Sequence, residues 1–261
     1  MNAMQGGFIR RLSRRVSLGS LKQITLRPWL IAKIPGYLGQ LSAYRRRERE
    51  LDMRSAPLRW YPCLNDTQSR QRVDYYFYQD SWAARQVFRE MPPWVVDIGS
   101  TVLLAGILSQ FAPCVSVDVR PISARLEGLE TVSASALALP FADASIPCLT
   151  TMCVLEHIGL GRYGDPLNPR GTVDAVAEIS RVLAHGGVVV YSVPVGSAQL
   201  EFNANRRFYL EEARSLFDGW DKIDDCLLTP VPTPISAVSQ KMLMSMRDPI
   251  ACFCLRKPTS S

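Results

Sequence analysis

The chain has 261 residues, of which 47% are hydrophobic, so it can bury a sizeable core without staples, and no apolar run reaches the roughly 20 residues that span a bilayer. Seven cysteines without a C-x-x-C pair and only two histidines argue against a zinc site and for thiols in a reducing cytoplasm. The first 60 residues carry 13 Lys/Arg against 3 Asp/Glu, whereas the remainder carries 17 against 21, so the basic charge belongs to an extension rather than to the main domain. Without a basic face interleaved with aromatics on that domain, nucleic acid is not an expected partner.

Arg10-Arg11-Leu12-Ser13-Arg14-Arg15 opens the chain without an apolar signal-peptide core, and the absence of acids before Glu48 would also suit a transit peptide. Leu26, Leu30, Ile34, Leu38 and Leu41 recur at helical spacing, with Pro28 and Pro35 as expected interruptions. The basic run Tyr44 to Arg49 follows; an amphipathic segment beside such a cluster could rest on anionic lipid, or pack as a helix with a solvated charged face.

Trp82 to Met91 reads as a helix stopped by Pro92-Pro93, and Trp94 to Ile98 as an apolar strand followed by a helix from Thr101 to Phe111. Further strands are expected at Cys114–Val119, Thr131–Ser133, Cys148–Val154 and Val188–Val193. Between the last two lies a helix, Thr172–Ala184, with Val173, Val176, Ile179 and Leu183 inward and Gly186-Gly187 as a left-handed stop. Lys222–Leu228 and Ile250–Leu255 read as a closing strand pair, with Cys252 and Cys254 buried on one face. Strands that are apolar on both faces and alternate with helices imply an α/β fold, a doubly wound and mostly parallel sheet.

Ligands of such sheets bind beyond the carboxyl ends of the central strands. The first strand ends at Asp97-Ile98-Gly99, where glycine lets backbone approach a ligand, and the second at Asp118, a carboxylate placed to accept bonds from two ribose hydroxyls. A plain strand–helix turn with a solvated Asp118 is the simpler alternative.

Asp97-Ile98-Gly99 and Val117-Asp118 are followed by Ala138-Leu139-Pro140-Phe141-Ala142-Asp143-Ala144-Ser145, by Val154-Leu155-Glu156-His157-Ile158, and by Arg181-Val182-Leu183-Ala184-His185-Gly186-Gly187. In this order the motifs resemble those of class I S-adenosylmethionine-dependent methyltransferases, over about Trp94 to Tyr209. More narrowly, Leu155 to Gly171, with Tyr61-Pro62-Cys63-Leu64 and Tyr76-Phe77-Tyr78-Gln79-Asp80 upstream, resembles a methyltransferase-like group of undetermined function. Several of its members are associated with bacterial surface-polysaccharide genes. The resemblance implies a Rossmann-like methyltransferase fold with S-adenosylmethionine as cofactor, held by Asp97, Gly99, Ser100, Asp118, Ser135 and Ala136.

Four positions depart from that pattern. Thr101 and Leu103 stand where the family has its second and third loop glycines, Ser135 where an acid commonly meets the adenine, and Pro147 where an Asp is common. Weaker cofactor binding is the expected consequence.

His157 lies just past a strand at the ligand edge, where an imidazole could take the proton of a hydroxyl acceptor; the alternative is a histidine that caps a turn. Glu156 would hold that imidazole or bind loop backbone. Arg162, Tyr163 and Asp165 lie in a loop punctuated by Gly159, Gly161 and Gly164 that would cover substrate or lock two helices together. Asn203, Asn205, Arg206 and Arg207 are candidate sugar or phosphate contacts, with Arg162, Tyr163, Asn203 and Arg206 the preferred substrate-binding set. Tyr75 to Tyr78 with Trp82 would form a lid over a sulfonium or pack into the core. His185 is expected to be exposed and structural.

The expectation is a basic extension, residues 1–70, followed by a methyltransferase-like domain, residues 71–261. Catalysis would be O-methylation of a sugar or other small hydroxyl acceptor, with His157 and Glu156 at its centre and no metal. The protein would be cytoplasmic, with possible peripheral membrane contact through the extension. The rival readings are a non-catalytic scaffold of the same fold and a nicotinamide dehydrogenase, the latter opposed by the absence of G-x-G-x-x-G.

Overall fold

A computed structural model describes residues 28–58, 73–229, 231–246 and 248–259, and the chain divides into two compact units, residues 1–72 and 73–261. The basic start at Arg10–Arg15 and the Tyr61–Leu64 motif lie outside the described residues. In the first unit a 3-10 turn, Pro28–Lys33, leads into helix α1, Ile34–Glu50. Pro35 does not interrupt this helix, because it sits in the first turn, where its missing N–H has no partner to lose. The helix continues through the arginine run. Glu48 is buried and accepts bonds from Arg45 at 2.7 Å and Ser55 at 3.0 Å, and the Arg45 guanidinium holds its carboxyl below the ordinary range. No helix among the described residues is long and apolar enough to cross a membrane.

The second unit begins with helix α2, Tyr75–Glu90, capped by Asp74, whose carboxylate accepts the Phe77 N–H. The helix starts a full two turns before the predicted Trp82, because the run Tyr75–Tyr78 carries no helical period of its own. There follow β1 (Val95–Ile98), α3 (Val102–Leu108), β2 (Cys114–Asp118), β3 (Leu129–Ser133), β4 (Ile146–Met152), α4 (Gly171–Val182) and β5 (Leu183–Pro194). A small hairpin, β6 (Gln199–Glu201) and β7 (Asn205–Arg207), precedes the short helix α5 (Leu210–Arg214). Strands β8 (Asp221–Thr229) and β9 (Val231–Thr233), helix α6 (Gln240–Ser245) and strand β10 (Ile250–Arg256) complete the unit.

The sheet order is β3-β2-β1-β4-β5-β10-β8-β9, parallel from β3 to β5 and antiparallel beyond. Alternation along the strands splits the core between two faces. Val96, Leu149, Val189, Tyr191 and Phe253 meet Ala175, Ile179 and Val182 of α4 on one side. Val95, Cys148, Val190, Cys252 and Cys254 meet Trp82, Val87, Leu104 and Leu108 on the other.

Two expectations about α4 are corrected. Val173 is exposed, whereas Val176 packs against the core and Ile179 and Leu183 are buried as expected; Thr172 takes the inward place in the first turn, bonding the Leu155 carbonyl at 2.8 Å, with Ala175 and Val182 buried beyond it. Gly186-Gly187 do not cap this helix; they form a bulge at the start of β5, whose pairing with β4 jumps from Ile146↔Leu183 to Cys148↔Val188. Gly186 takes φ +75°, and a Cβ on Gly187 would lie 2.8 Å from the Ala184 carbonyl. The Lys257 ammonium caps α4 instead, donating to the carbonyls of Ser180 (2.7 Å) and Leu183 (2.8 Å).

Candidate active site

The order β2-β1-β4 places the change of winding direction at β1 and β4, and there the carboxyl ends open into a cleft with a volume of about 220 Å³. Gly99, Ser100, Asp118, Ser135 and Ala136 all line it, as five of the six residues expected to hold a cofactor. Gly99 takes φ +60°, and a Cβ there would lie 3.2 Å from Val154 and 3.7 Å from the Asp118 carboxylate, so the open backbone at this point is required. The sixth, Asp97, does not reach the cleft. It is buried beneath the loop, where it accepts the Thr150 hydroxyl at 2.6 Å and bonds Ser100; burial pushes its carboxyl up to about 6. Ser100 Oγ in turn accepts the Met152 N–H at 3.0 Å, tying the β1 loop to β4.

The residues that replace the family's glycines leave the loop open. Thr101 caps α3 by accepting the Leu104 N–H at 3.1 Å and gives its own hydrogen to buried Asp80. Leu103 is 70% exposed and points away from the cleft. Ser135 Oγ accepts the Leu137 N–H at 3.2 Å, holding the turn that faces the cleft. The other recurrent motifs are structural. Arg181 binds Asp143, Glu178 and the carbonyls of Leu139 and Phe141, while Glu178 accepts the Leu139 N–H, so the Leu139–Ser145 loop and α4 lock into one piece.

A larger chamber of about 1090 Å³ adjoins the cleft, and the two share Tyr76, Cys153, His157 and Tyr163 in their linings. Cys153, just past β4, sits at φ +54°, a strained conformation held by bonds from its thiol to Gln79 and from Ser192 to its sulfur. His157 Nδ1 lies 2.6 Å from the Ala204 carbonyl, an acceptor only, which puts the proton on Nδ1 and a lone pair on Nε2. Burial holds the imidazole below its ordinary pKa, so it is neutral near pH 7. Glu156 does not orient the ring as expected, for its Oε1 is 3.8 Å from Nε2, beyond hydrogen-bond reach. It is 2% exposed, its Oε2 has no partner, and burial pushes its carboxyl up to about 8 against opposing contributions from its own backbone N–H, Cys153 and Arg162.

The glycine-punctuated loop is the rigid network of the two alternatives. Asp165 accepts the N–H groups of Gly159 (2.6 Å), Tyr163 (3.3 Å) and Gly161 (3.4 Å). Desolvation raises that carboxyl, but these bonds outweigh it and hold its pKa low. A Cβ on Gly159 would fall 2.0 Å from the Asn168 carbonyl, and one on Gly171 2.4 Å from that of Ile158. The loop thereby presents Tyr163 to both cavities, with the Arg120 guanidinium 4.1 Å from its ring centre. Arg162 lines the chamber and donates to Ala204 at 3.2 Å.

Arg206 and Asn203 are not in either lining. Arg206 is spent on the Ile158 carbonyl at 2.7 Å, and Asn203 makes the hairpin turn at φ +60°. Their neighbours Asn205 and Arg207, on the opposite face of β7, line the chamber instead. Sequence reasoning passed over Cys153, Arg120 and Glu201 as well, none of which carries a local motif. Tyr75, Tyr76 and Tyr78 line the chamber, Tyr78 also packing against the core in which Trp82 is buried, and His185 is exposed, near the Pro258 carbonyl.

Residues 129–242 match the family described as "Caenorhabditis protein of unknown function, DUF268". The chain has no significant match among curated protein sequences. Among solved structures it is similar to the [4+2]-cyclase SpnF, at 14% identity and a TM-score of 0.51, over 74% of this chain and 86% of that one. It is also similar to the N-methyltransferase NodS from Bradyrhizobium japonicum WM9 in complex with S-adenosyl-L-homocysteine, at 11% identity and a TM-score of 0.51, over 70% and 88%. A second NodS structure aligns at 12% identity and a TM-score of 0.50, over 70% and 97%. With its strand order, its Gly99 loop and these neighbours, the unit formed by residues 73–261 has the Rossmann-like fold of class I methyltransferases.

Proposed function

We propose that this unit is an S-adenosylmethionine-dependent methyltransferase acting on a hydroxyl acceptor, with a surface-glycan sugar as the acceptor suggested by the sequence resemblance. The observation that carries the proposal is the shared wall: a neutral His157, its proton held on Nδ1 by Ala204, lines both the cleft and the chamber. When bound, S-adenosylmethionine would supply an electrophilic methyl group on a sulfonium. The cleft fits it on the chain's own terms. Gly99 gives close backbone approach, Asp118 at the end of β2 would accept the ribose hydroxyls, and Ser135 and Ala136 edge the far side. Buried Asp97, with Asp80 beside it, offers the positive sulfonium a favourable field.

In the chamber, Nε2 of His157 is the atom that would take the acceptor's proton as its oxygen attacks. Tyr76, Cys153 and Tyr163 would narrow the passage between donor and acceptor, and alignment of the two supplies much of the acceleration in an in-line displacement. NodS methylates nitrogen and SpnF is a cyclase, so acceptor chemistry does not follow from the fold. The test is calorimetric titration with S-adenosylmethionine and S-adenosyl-L-homocysteine. Saturable binding that Asp118→Ala weakens supports the proposal; no binding by the folded chain would reject it and leave a scaffold role.

A further inference from the structure

Base catalysis assigns no task to the one buried acid of the chamber. Glu156 lines the chamber almost wholly buried, with Oε2 unpartnered, and His157 does not use it because Ala204 fixes the ring. A buried polar atom left without a partner is costly and calls for an explanation, which a ligand group would supply. Around it stand electron-rich rings. Tyr75 and Tyr76 have centroids 4.1 Å apart, and Tyr78 joins them in the lining. Asp74 and Glu201 add carboxylates; of the chamber's arginines, Arg207 pairs with Asp248 at 2.6 Å while its Nε is left without a partner, and Arg162 donates to the Ala204 carbonyl. Ring faces and surplus acid attract a cation.

We infer that the acceptor carries an ammonium group, held between Glu156 and the Tyr75–Tyr76 faces, close to the hydroxyl that His157 receives. The inference rests on the reading of His157 as base. The Glu156 carboxyl lies beside His157, its Oε1 3.8 Å from Nε2, so the two ligand groups would be close together, and the chemical class we assign is a vicinal amino alcohol. The ammonium is an anchor and not the nucleophile, since a protonated nitrogen has no lone pair with which to attack a methyl group. Binding is linked to a proton. The groups facing Glu156 are Tyr75 from α2, Cys153 and His157 beside it, and Arg162 from the loop; with none of them cancelling burial, the carboxyl stays protonated up to about pH 8. A cation arriving beside it favours the carboxylate, so ammonium binding at pH 7 releases a proton.

The test uses the full chain, with and without saturating S-adenosyl-L-homocysteine, titrated calorimetrically with 2-amino-1-phenylethanol and with 1-phenylethanol, which lacks the amine. The amine is expected to bind about tenfold more tightly, on the scale of a partly desolvated cation–π and charge-assisted contact. Its binding heat should vary with buffer ionisation enthalpy, and Glu156→Gln should bring the two affinities together. Equal affinities in the parent chain overturn the inference, as does a preference that survives Glu156→Gln. If that variant does not fold, Tyr75→Leu decides: a reduced preference supports the inference and an unchanged one rejects it. Binding of S-adenosyl-L-homocysteine without any amine preference sinks only the ammonium site, whereas failure of S-adenosyl-L-homocysteine to bind sinks the methyltransferase reading.

Discussion

The cleft and the chamber meet at one wall, yet they are built from different material. The cleft is made from the ends of β1, β2 and β4, held by the sheet and by bonds such as Asp97–Thr150 and Ser100–Met152. The chamber draws on the start of α2, the loop after β4, the β6–β7 hairpin, β8, α6 and β10. A cavity at strand ends inherits the rigidity of the sheet. A cavity enclosed by loops and a hairpin can be reshaped without disturbing the core, so under the proposed function acceptor specificity is the property this arrangement would leave open to change.

The contrast can be broken at the wall first. His157→Ala should lower methyl transfer about 10²–10⁴-fold, the scale of general-base catalysis, while cofactor affinity stays the same. Because burial holds this histidine below its ordinary pKa, the parent rate should rise with pH and level off below about 6.5. A joint loss of cofactor affinity and melting temperature in the variant would make His157 a structural residue.

Next in size is Glu156→Gln. A carboxyl whose pKa is raised in the folded state binds a proton that the unfolded chain has released, so wild-type stability should fall as pH climbs from about 4.5 to about 8 and then level off. The glutamine variant lacks this loss, and its advantage at pH 8.5 over pH 5 should be on the order of 4 kcal/mol. Parallel stability–pH curves from urea denaturation would show that Glu156 is not the buried titrating group.

Asp118→Ala tests whether the cavities are separable. Cofactor affinity should drop by about 1.5–3 kcal/mol, the worth of hydrogen bonds to a charged group, with chamber probes unaffected. Asp165→Ala tests the reverse, since it frees three N–H groups of the loop that presents Tyr163 to both cavities. Stability should fall by about 1–2 kcal/mol and both ligands should bind more weakly; a loss confined to one cavity would mean the loop serves only that one.

The smallest effect on either cavity is expected from the first unit. We propose that its arginine-rich helix contacts anionic lipid. Arg46→Glu with Arg49→Glu in the full chain should abolish co-sedimentation with anionic vesicles and leave cofactor affinity unchanged. The parent association should weaken with salt, because exposed charges are screened within about 8 Å at physiological ionic strength. Sedimentation indifferent to charge or salt would leave α1 a packing helix.

Much of the fold was legible from local pattern. Strands such as Val95–Ile98 and Val188–Val193 are apolar on both faces, which only a covered parallel sheet accommodates. Gly99 and Asp118 could be read as a ligand site because a strand end fixes where its last side chains go. Helix α2 was half missed because Tyr75–Tyr78 has no period. Gly186-Gly187 were misread because a helix stop and a bulge demand the same positive φ, and only the pairing of β5 with β4 decides between them.

What the sequence alone determined, then, is whatever depends on short-range periodicity: the strand series, the cleft at its switch point, and the motif order that resembles a methyltransferase. Tertiary structure decided the rest, because it depends on which distant atoms meet. Ala204, 47 residues away, sets the His157 tautomer. The face that β7 turns inward assigns Asn205 and Arg207 to the chamber and Arg206 to a carbonyl clamp, since a strand reverses its side chains at every residue. Glu156 Oε2 is left buried without a partner by the tertiary packing around it, which no local pattern reports.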